Sequence, residues 1–337
     1  MDTEIRPSIE VKNLTKEFST SRGLFRAVDN VSFKVSSGKI CGFVGPNGAG
    51  KSTTIKLLLG LLQSTSGDIK LNGGSINDSE IRKIIGYMPE KDTFYEDMNA
   101  KDYLLMMASL SGLPSNLAKK RTETLINALG LEEAKKRAIG RFSSGMKKKI
   151  SFAQAIIHNP KILILDEPTA NLDPIAQEQL IGVLKEMCKK NNTTVLISSH
   201  HIEELEKLID DIIVINHGRI ILDASLNEIK QKTSKTIEIL ATNQNDVTKI
   251  LAIVKKLGLE ATQTDSKVIL PAKQDAAKIQ KTIMQAIVKE NINVSNMTIK
   301  DESLWDVVLG LLKDDSKTIK IKEPEKKEDN LGGMFKR

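Results

Sequence analysis

Residues 45–52 read Gly-Pro-Asn-Gly-Ala-Gly-Lys-Ser, a set of types and spacings that suits the cradling of phosphate. Gly45, Gly48 and Gly50 admit backbone angles that aim successive N–H groups at an anion, while Pro46, Asn47 and Ala49 complete the loop. Ser52 and Thr53 open an apolar stretch with helical spacing, and a helix N-terminus adds partial positive charge at the same place. Lys51 offers a point charge to β- and γ-phosphates, and the Ser52 hydroxyl is a ligand for Mg²⁺. A glycine turn that only caps a helix has a similar local pattern. The buried strand expected before it and the helix after it favour phosphate. A second group of chemically capable residues closes the run Lys-Ile-Leu-Ile-Leu-Asp-Glu-Pro at 161–168. Asp166 and Glu167 stand at the C-terminal end of an apolar strand, the edge at which open α/β sheets bind ligands. Asp166 can hold Mg²⁺ directly or through water, and Glu167 can take a proton from an attacking water. Alone this is an acidic strand end; beside a phosphate loop it completes a hydrolytic pair.

The elements that must position these groups follow from periodicity. Strands are expected at 8–18, 27–35 and 39–44, the last nearly all apolar and so buried on both faces. A helix follows the glycine loop, a break falls at 64–67, and a short strand ends near residue 73. Residues 100–139 read as helical with breaks at 112–114 and 130, and a longer helix covers 144–158. Strand and helix then alternate: a strand ending at Asp166, a helix from Pro174 to about 190, a strand at 193–198, a helix at 201–208 and a strand at 211–216. That alternation predicts an α/β sheet with parallel strands. From 235 the order is strand (235–241), helix (245–257), strands (259–263 and 267–270), helix (274–288) and strand (292–298), a split βαβ pattern. A helix over 301–312 follows, then a charged tail that reads as mobile. A length of 337 residues fits about two domains. With 40% hydrophobic and 28% charged residues the chain is globular, and no apolar run approaches the ~20 residues of a membrane span. The N-terminus lacks a secretory pattern, and two distant cysteines, Cys41 and Cys188, make neither a disulfide framework nor a zinc site, so a reducing compartment is expected. The net charge of +7 is too mild to single out nucleic acid.

Between the two carboxylate and phosphate motifs lies Arg-Phe-Ser-Ser-Gly-Met-Lys-Lys-Lys at 141–149. Here the sequence resembles the nucleotide-binding subunits of ABC transporters. Residues 142–146 look like a variant of their Leu-Ser-Gly-Gly-Gln signature: Ser143 and Gly145 match, while Ser144 replaces glycine and Met146 replaces glutamine. Further matches come in order. Phe18 resembles the aromatic that stacks on adenine, although the family usually has Tyr and the loop at 19–26 is longer than usual; a core Phe at a strand end is the other reading. The segment 86–90 resembles the Q-loop, with Glu90 in place of Gln and still able to ligate Mg²⁺ or water. Residues 170–174 resemble the D-loop through Asp173, and His200 matches the switch histidine. His201 reads as a first-turn helix residue, and His158 and His217 as structural or solvated. The resemblance covers 8–225; more weakly, 235–312 resembles the accessory domain of exporter-type subunits, with Trp305 a packing anchor in its closing helix.

The resemblance implies an α/β P-loop NTPase fold of the ABC type: mixed sheet core, antiparallel β subdomain and helical subdomain (about 95–158) within 8–230. A small α+β domain follows at 235–313, with a ferredoxin-like arrangement as one reading, then a flexible charged tail at 314–337. It implies ATP and Mg²⁺ as cofactors, with Ser52, Glu90 and Asp166 as metal ligands, Glu167 and His200 as catalytic residues, and Asp173 linking two sites. It also implies a head-to-tail dimer, most simply of identical copies, in which Ser143, Ser144, Gly145 and Met146 of one subunit close over ATP held by the other. The output partner is a separate integral membrane permease, docked near Glu90 and the stretch 98–140, with the chain peripheral on the cytoplasmic face and export the expected direction. No specific nucleic acid is expected. The alternative is a soluble ABC-type ATPase acting on the ribosome or DNA.

Overall fold

The computed structural model describes residues 7–21, 23–170, 172–200, 205–232, 235–272, 276–301 and 304–320. The chain opens with a long antiparallel hairpin, β1 (Pro7–Thr20) and β2 (Gly23–Ser36), joined by β4 (Ser66–Leu71) and β5 (Gly74–Ser75) in a sheet of order β2-β1-β4-β5. Residues 19–26 are thus largely strand: Ser19 and Thr20 pair with Leu24 and Gly23, in place of the loop expected from the sequence. Cross-strand pairing lengthens the hairpin beyond what its apolar residues signal, because its tip carries little burial.

The central sheet has six strands in the order β10-β9-β3-β8-β7-β6. These are β3 (Ile40–Val44), β6 (Ile85–Met88), β7 (Ile162–Asp166), β8 (Thr194–Ser199), β9 (Asp211–Asn216) and β10 (Arg219–Ser225). All neighbours run parallel except β9 and β10. Their tight turn, His217–Gly218, has φ of 45° and 77°, the two left-handed residues of a hairpin whose twist matches its strands. β3, β7 and β8 are buried at every position, so alternate side chains feed different cores. Cys41, Phe43, Ile162, Ile164 and Leu196 face the core shared with the antiparallel sheet and with α1 (Lys51–Leu58). Val44, Leu163, Leu165, Val195 and Ile197 face the core shared with the helices on the other side. Two-sided burial is why these strands read as continuous apolar runs.

The helical side holds α3 (Ala100–Leu110), α4 (Ser115–Ala128), α5 (Ser144–Ile156) and α6 (Pro174–Asn191); the short α2 (Ser79–Lys83) precedes β6. Breaks fall at Gly112 and Gly130, both at positive φ, as expected from the sequence. Of the helix expected at 201–208, residues 201–204, His201 among them, lie outside the described residues. After β10, α7 (Leu226–Lys232) leads to a third sheet, order β12-β13-β11-β14. It comprises β11 (Lys235–Ala241), β12 (Thr262–Thr264), β13 (Lys267–Ala272) and β14 (Val294–Asp301), all antiparallel. The helices α8 (Gln244–Lys256) and α9 (Ala276–Lys289) pack with it around a separate apolar core. The last helix, α10 (Leu304–Lys320), runs past residue 313, where the charged tail was expected to begin. Its Leu304 and Val308 join the core on the helical side of the central sheet, and Trp305 packs partly buried against it. Residues 321–337 of the expected tail are outside the described residues.

Candidate functional site

The glycine loop connects β3 to α1 at the C-terminal edge of the parallel strands. Gly50, the N-cap of α1, has φ 108°, and a Cβ there would lie 2.6 Å from the Ala27 carbonyl. A Cβ on Gly45 would lie 2.2 Å from the Ile215 carbonyl. At Gly45 and Gly50 the loop is therefore pressed against β9 and β2 with no room for a side chain, and the Gly218 N–H donates to the Ala49 carbonyl at 2.9 Å. Lys51 is buried, and its Nζ donates to the carbonyls of Gly45 at 2.6 Å and Pro46 at 3.2 Å. Burial lowers its pKa, opposed by Glu167, Asp166 and Glu90, so three carboxylates face one ammonium. Ser52 is exposed and Thr53 half-buried.

Asp166 ends β7 and Glu167 follows it, both buried. The Ser198 hydroxyl donates to Asp166 Oδ1. Burial raises the Asp166 pKa, which the Ser198 bond and Lys51 oppose and Glu90 and Glu167 reinforce. Glu167 sits at φ 50°, a left-handed backbone that costs of order 1–3 kcal/mol in a non-glycine residue. It is held there by its N–H donating to the Ser198 carbonyl at 3.1 Å, while the Ser199 hydroxyl donates to Oε2 at 3.4 Å. His200 Nδ1 donates to Glu167 Oε1 at 2.7 Å, which fixes the direction of the carboxylate. The sequence placed Asp166, Glu167 and His200 but not the two serines. Their signal was two small polar residues ending an otherwise apolar strand.

The structure thus gathers Lys51, Asp166, Glu167, Glu90 and His200. Glu90 is exposed just beyond β6. Tyr87, on β6, is half-buried, and burial with Asp166 and Glu90 nearby pushes its hydroxyl up to about 12. Ser143 and Asp173 stand on elements other than the loop and strand that carry Lys51 and Asp166. Each instead caps a helix: Ser143 Oγ accepts from the Met146 N–H at 3.3 Å on α5, and Asp173 Oδ1 from the Ala176 N–H at 2.9 Å on α6. Ser144 and Gly145 form the first turn of α5, and Met146 Sδ accepts from Arg137 at 3.3 Å. Phe18 is half-buried, faces Phe25 across the hairpin, and carries the Lys16 ammonium 5.1 Å from its ring centre. Phe25 is 56% exposed, an aromatic neighbour that sequence reading did not single out. His158 is structural, its Nε2 3.0 Å from the Ile85 carbonyl, and His217 lies in the β9–β10 turn.

The chain is similar to known proteins over most of its length. The ABC transporter family model matches residues 28–170. The bacitracin transport ATP-binding protein of Bacillus licheniformis is 31% identical over 306 residues, 90% of this chain and 97% of that protein. The daunorubicin/doxorubicin resistance ATP-binding protein of Streptomyces peucetius is 29% identical over 335 residues, 97% of this chain and 99% of that one. A solved ATP-binding subunit of an ABC transporter superposes with a TM-score of 0.61 at 30% identity, over 66% of this chain and 92% of its own.

Proposed function

The chain belongs to the ATP-binding subunits of ABC transporters, and from that premise we propose how its residues bind and hydrolyse ATP and drive a membrane partner. The observation that carries the reading is a buried ammonium, Lys51, on the glycine loop at the same edge of the parallel strands as buried Asp166 and Glu167, with His200 fixed on the second carboxylate. The loop N–H groups and Lys51 bind the β- and γ-phosphates, replacing the carbonyls that hold Nζ. Glu167 accepts a proton from the attacking water, and His200 keeps that carboxylate aimed. The donor set fits Mg²⁺. Asp166, Glu90 and the Ser52 hydroxyl are hard oxygens, and among the described residues no group of three His, Cys, Asp or Glu forms an all-protein cage. Mg²⁺ takes few protein ligands and completes its shell with phosphate and water. When bound, it offsets the charge that develops on the phosphates.

Ser143 and Asp173 cap α5 and α6, elements other than the loop that holds Lys51, and this reading assigns them to action across an interface. In this reading two copies pair head to tail. The N-terminus of α5, favourable to an anion, closes on the γ-phosphate held by the partner. Phe18 supplies the stacking surface for adenine. Among the described residues no helix is long and apolar enough to cross a membrane, so the reading places the channel in a separate permease. Tyr95, ahead of α3, and Leu110, at its end, are exposed apolar residues, and in this reading a cytoplasmic helix of that permease docks along this stretch. Likeness along nearly the whole chain to a bacitracin transport protein and a drug-resistance protein supports export, with the chain peripheral on the cytoplasmic face. The third sheet and its helices form the accessory domain in this account. The test is phosphate release by the purified chain with its permease, against Glu167→Gln. The variant retains ATP, loses about 10²–10⁴-fold in turnover as expected for a lost general base, and accumulates as a dimer. Unchanged turnover contradicts the assignment.

A further inference from the structure

Three lysines, Lys147 to Lys149, follow Met146, and each reaches a different element. Lys147 pairs with Glu96 at 3.1 Å. Lys149 donates to the Leu129 carbonyl at 2.9 Å and to Gln179 on α6 at 3.0 Å. Lys148 is the buried one, 5% exposed, and its Nζ donates to the backbone carbonyl of Glu90 at 2.9 Å. One turn further along the same face of α5 is the buried Ser151, and burial raises the pKa of Asp92, opposed by Ser151, Lys148 and Lys147. Burying an ammonium is unfavourable unless partners hold it, so this is not a surface lysine that happens to lie inward. Glu90, at the other end of the contact, follows the end of β6, whose Met88 pairs with Leu165 of β7 beside Asp166, so its charge lies at the same sheet edge as Asp166.

We propose that Lys148 is a positioning residue, the strut through which α5, engaged at its N-terminus with the partner's ATP, holds Glu90 against the ATP of its own subunit. The proposal rests on the head-to-tail site described above. A helix moves as a rigid body, so a shift imposed at Ser143 reaches Lys148 one turn later and is passed to the Glu90 backbone. Each subunit's hydrolysis then depends on its engagement with the other.

Lys148→Met keeps the aliphatic stem and removes the donor; Lys148→Arg keeps a donor. A hydrogen bond from a charged group is worth about 1.5–3 kcal/mol, so kcat of the full chain should fall about tenfold or more in Lys148→Met. KM for ATP should stay within about twofold, since binding to the subunit's own loop is untouched. The ATP dependence of turnover should lose its cooperativity, and Lys148→Arg should recover most of kcat. If Lys148→Met does not fold, Lys148→Gln is read for the same split between kcat and KM. Wild-type kcat and cooperativity in a variant that binds ATP overturn the strut and leave the site assignment standing. So does a loss that Lys148→Arg fails to rescue and that follows a lowered Tm. An unmodified chain that does not bind ATP overturns the site itself, and the strut with it.

Discussion

Asp166 and Glu167 are adjacent and both buried, yet their surroundings separate their tasks. Asp166 receives the Ser198 hydroxyl and lies among carboxylates, and burial raises its pKa. Glu167 is turned by its left-handed backbone toward His200. The raised Asp166 value has a consequence for stability with a definite sign. A carboxyl whose folded pKa exceeds its ordinary value of 3.8 binds its proton more tightly in the folded protein. Stability from this group is full below that ordinary value and is lost as pH rises through the folded value. Asp166→Asn removes the effect. The nucleotide-free variant should therefore gain stability over the wild type as pH rises above 3.8, while its turnover is lost. Urea midpoints for both proteins across that range check it; a wild type that gains on the variant would contradict the direction.

At the scale of elements, α5 carries the argument, because its N-terminus, its lysines and its buried face each meet a different part of the molecule. Ser143→Ala removes an N-cap, worth about 1 kcal/mol of local stability. It should also lower kcat without weakening ATP binding to the isolated subunit, since in this account Ser143 meets the ATP held by the partner. Equilibrium ATP binding and steady-state turnover, measured on the same preparation, separate the two effects. Much of this architecture was legible in the sequence. β3, β7 and β8 declared themselves as apolar runs because both their faces are covered, and α5 ends at Ile156, shortly before the breakers Asn159 and Pro160. β10 was not legible, since its side chains are half-buried or exposed with no regular alternation. The hairpin tip was read as loop for the same reason. Ser198 and Lys148 act through contacts 32 and 58 residues away in sequence, which periodicity cannot see.

At the scale of the whole molecule, one sheet with two covered faces joins the phosphate loop to the helices that would meet the permease. The chain's last described helix closes over the same core. Leu304 of α10 is 3% exposed within the core that also holds Leu163 and Val195. Leu304→Ala should cost about 2–5 kcal/mol, read as a lowered urea midpoint, because it opens a cavity in packed surroundings. A midpoint equal to the wild type would mean that α10 does not contribute to that core. The central claim is that two chains clamp ATP between the glycine loop of one and the N-terminus of α5 of the other. Its most direct measurement is disulfide crosslinking in the Glu167→Gln background, with Asn47→Cys in one copy, Ser144→Cys in the other, and Cys188, the partly accessible native thiol, replaced by serine. The account predicts a crosslink between subunits that forms with ATP and fails without it. No intersubunit crosslink in the ATP-bound protein, or one indifferent to nucleotide, would contradict it.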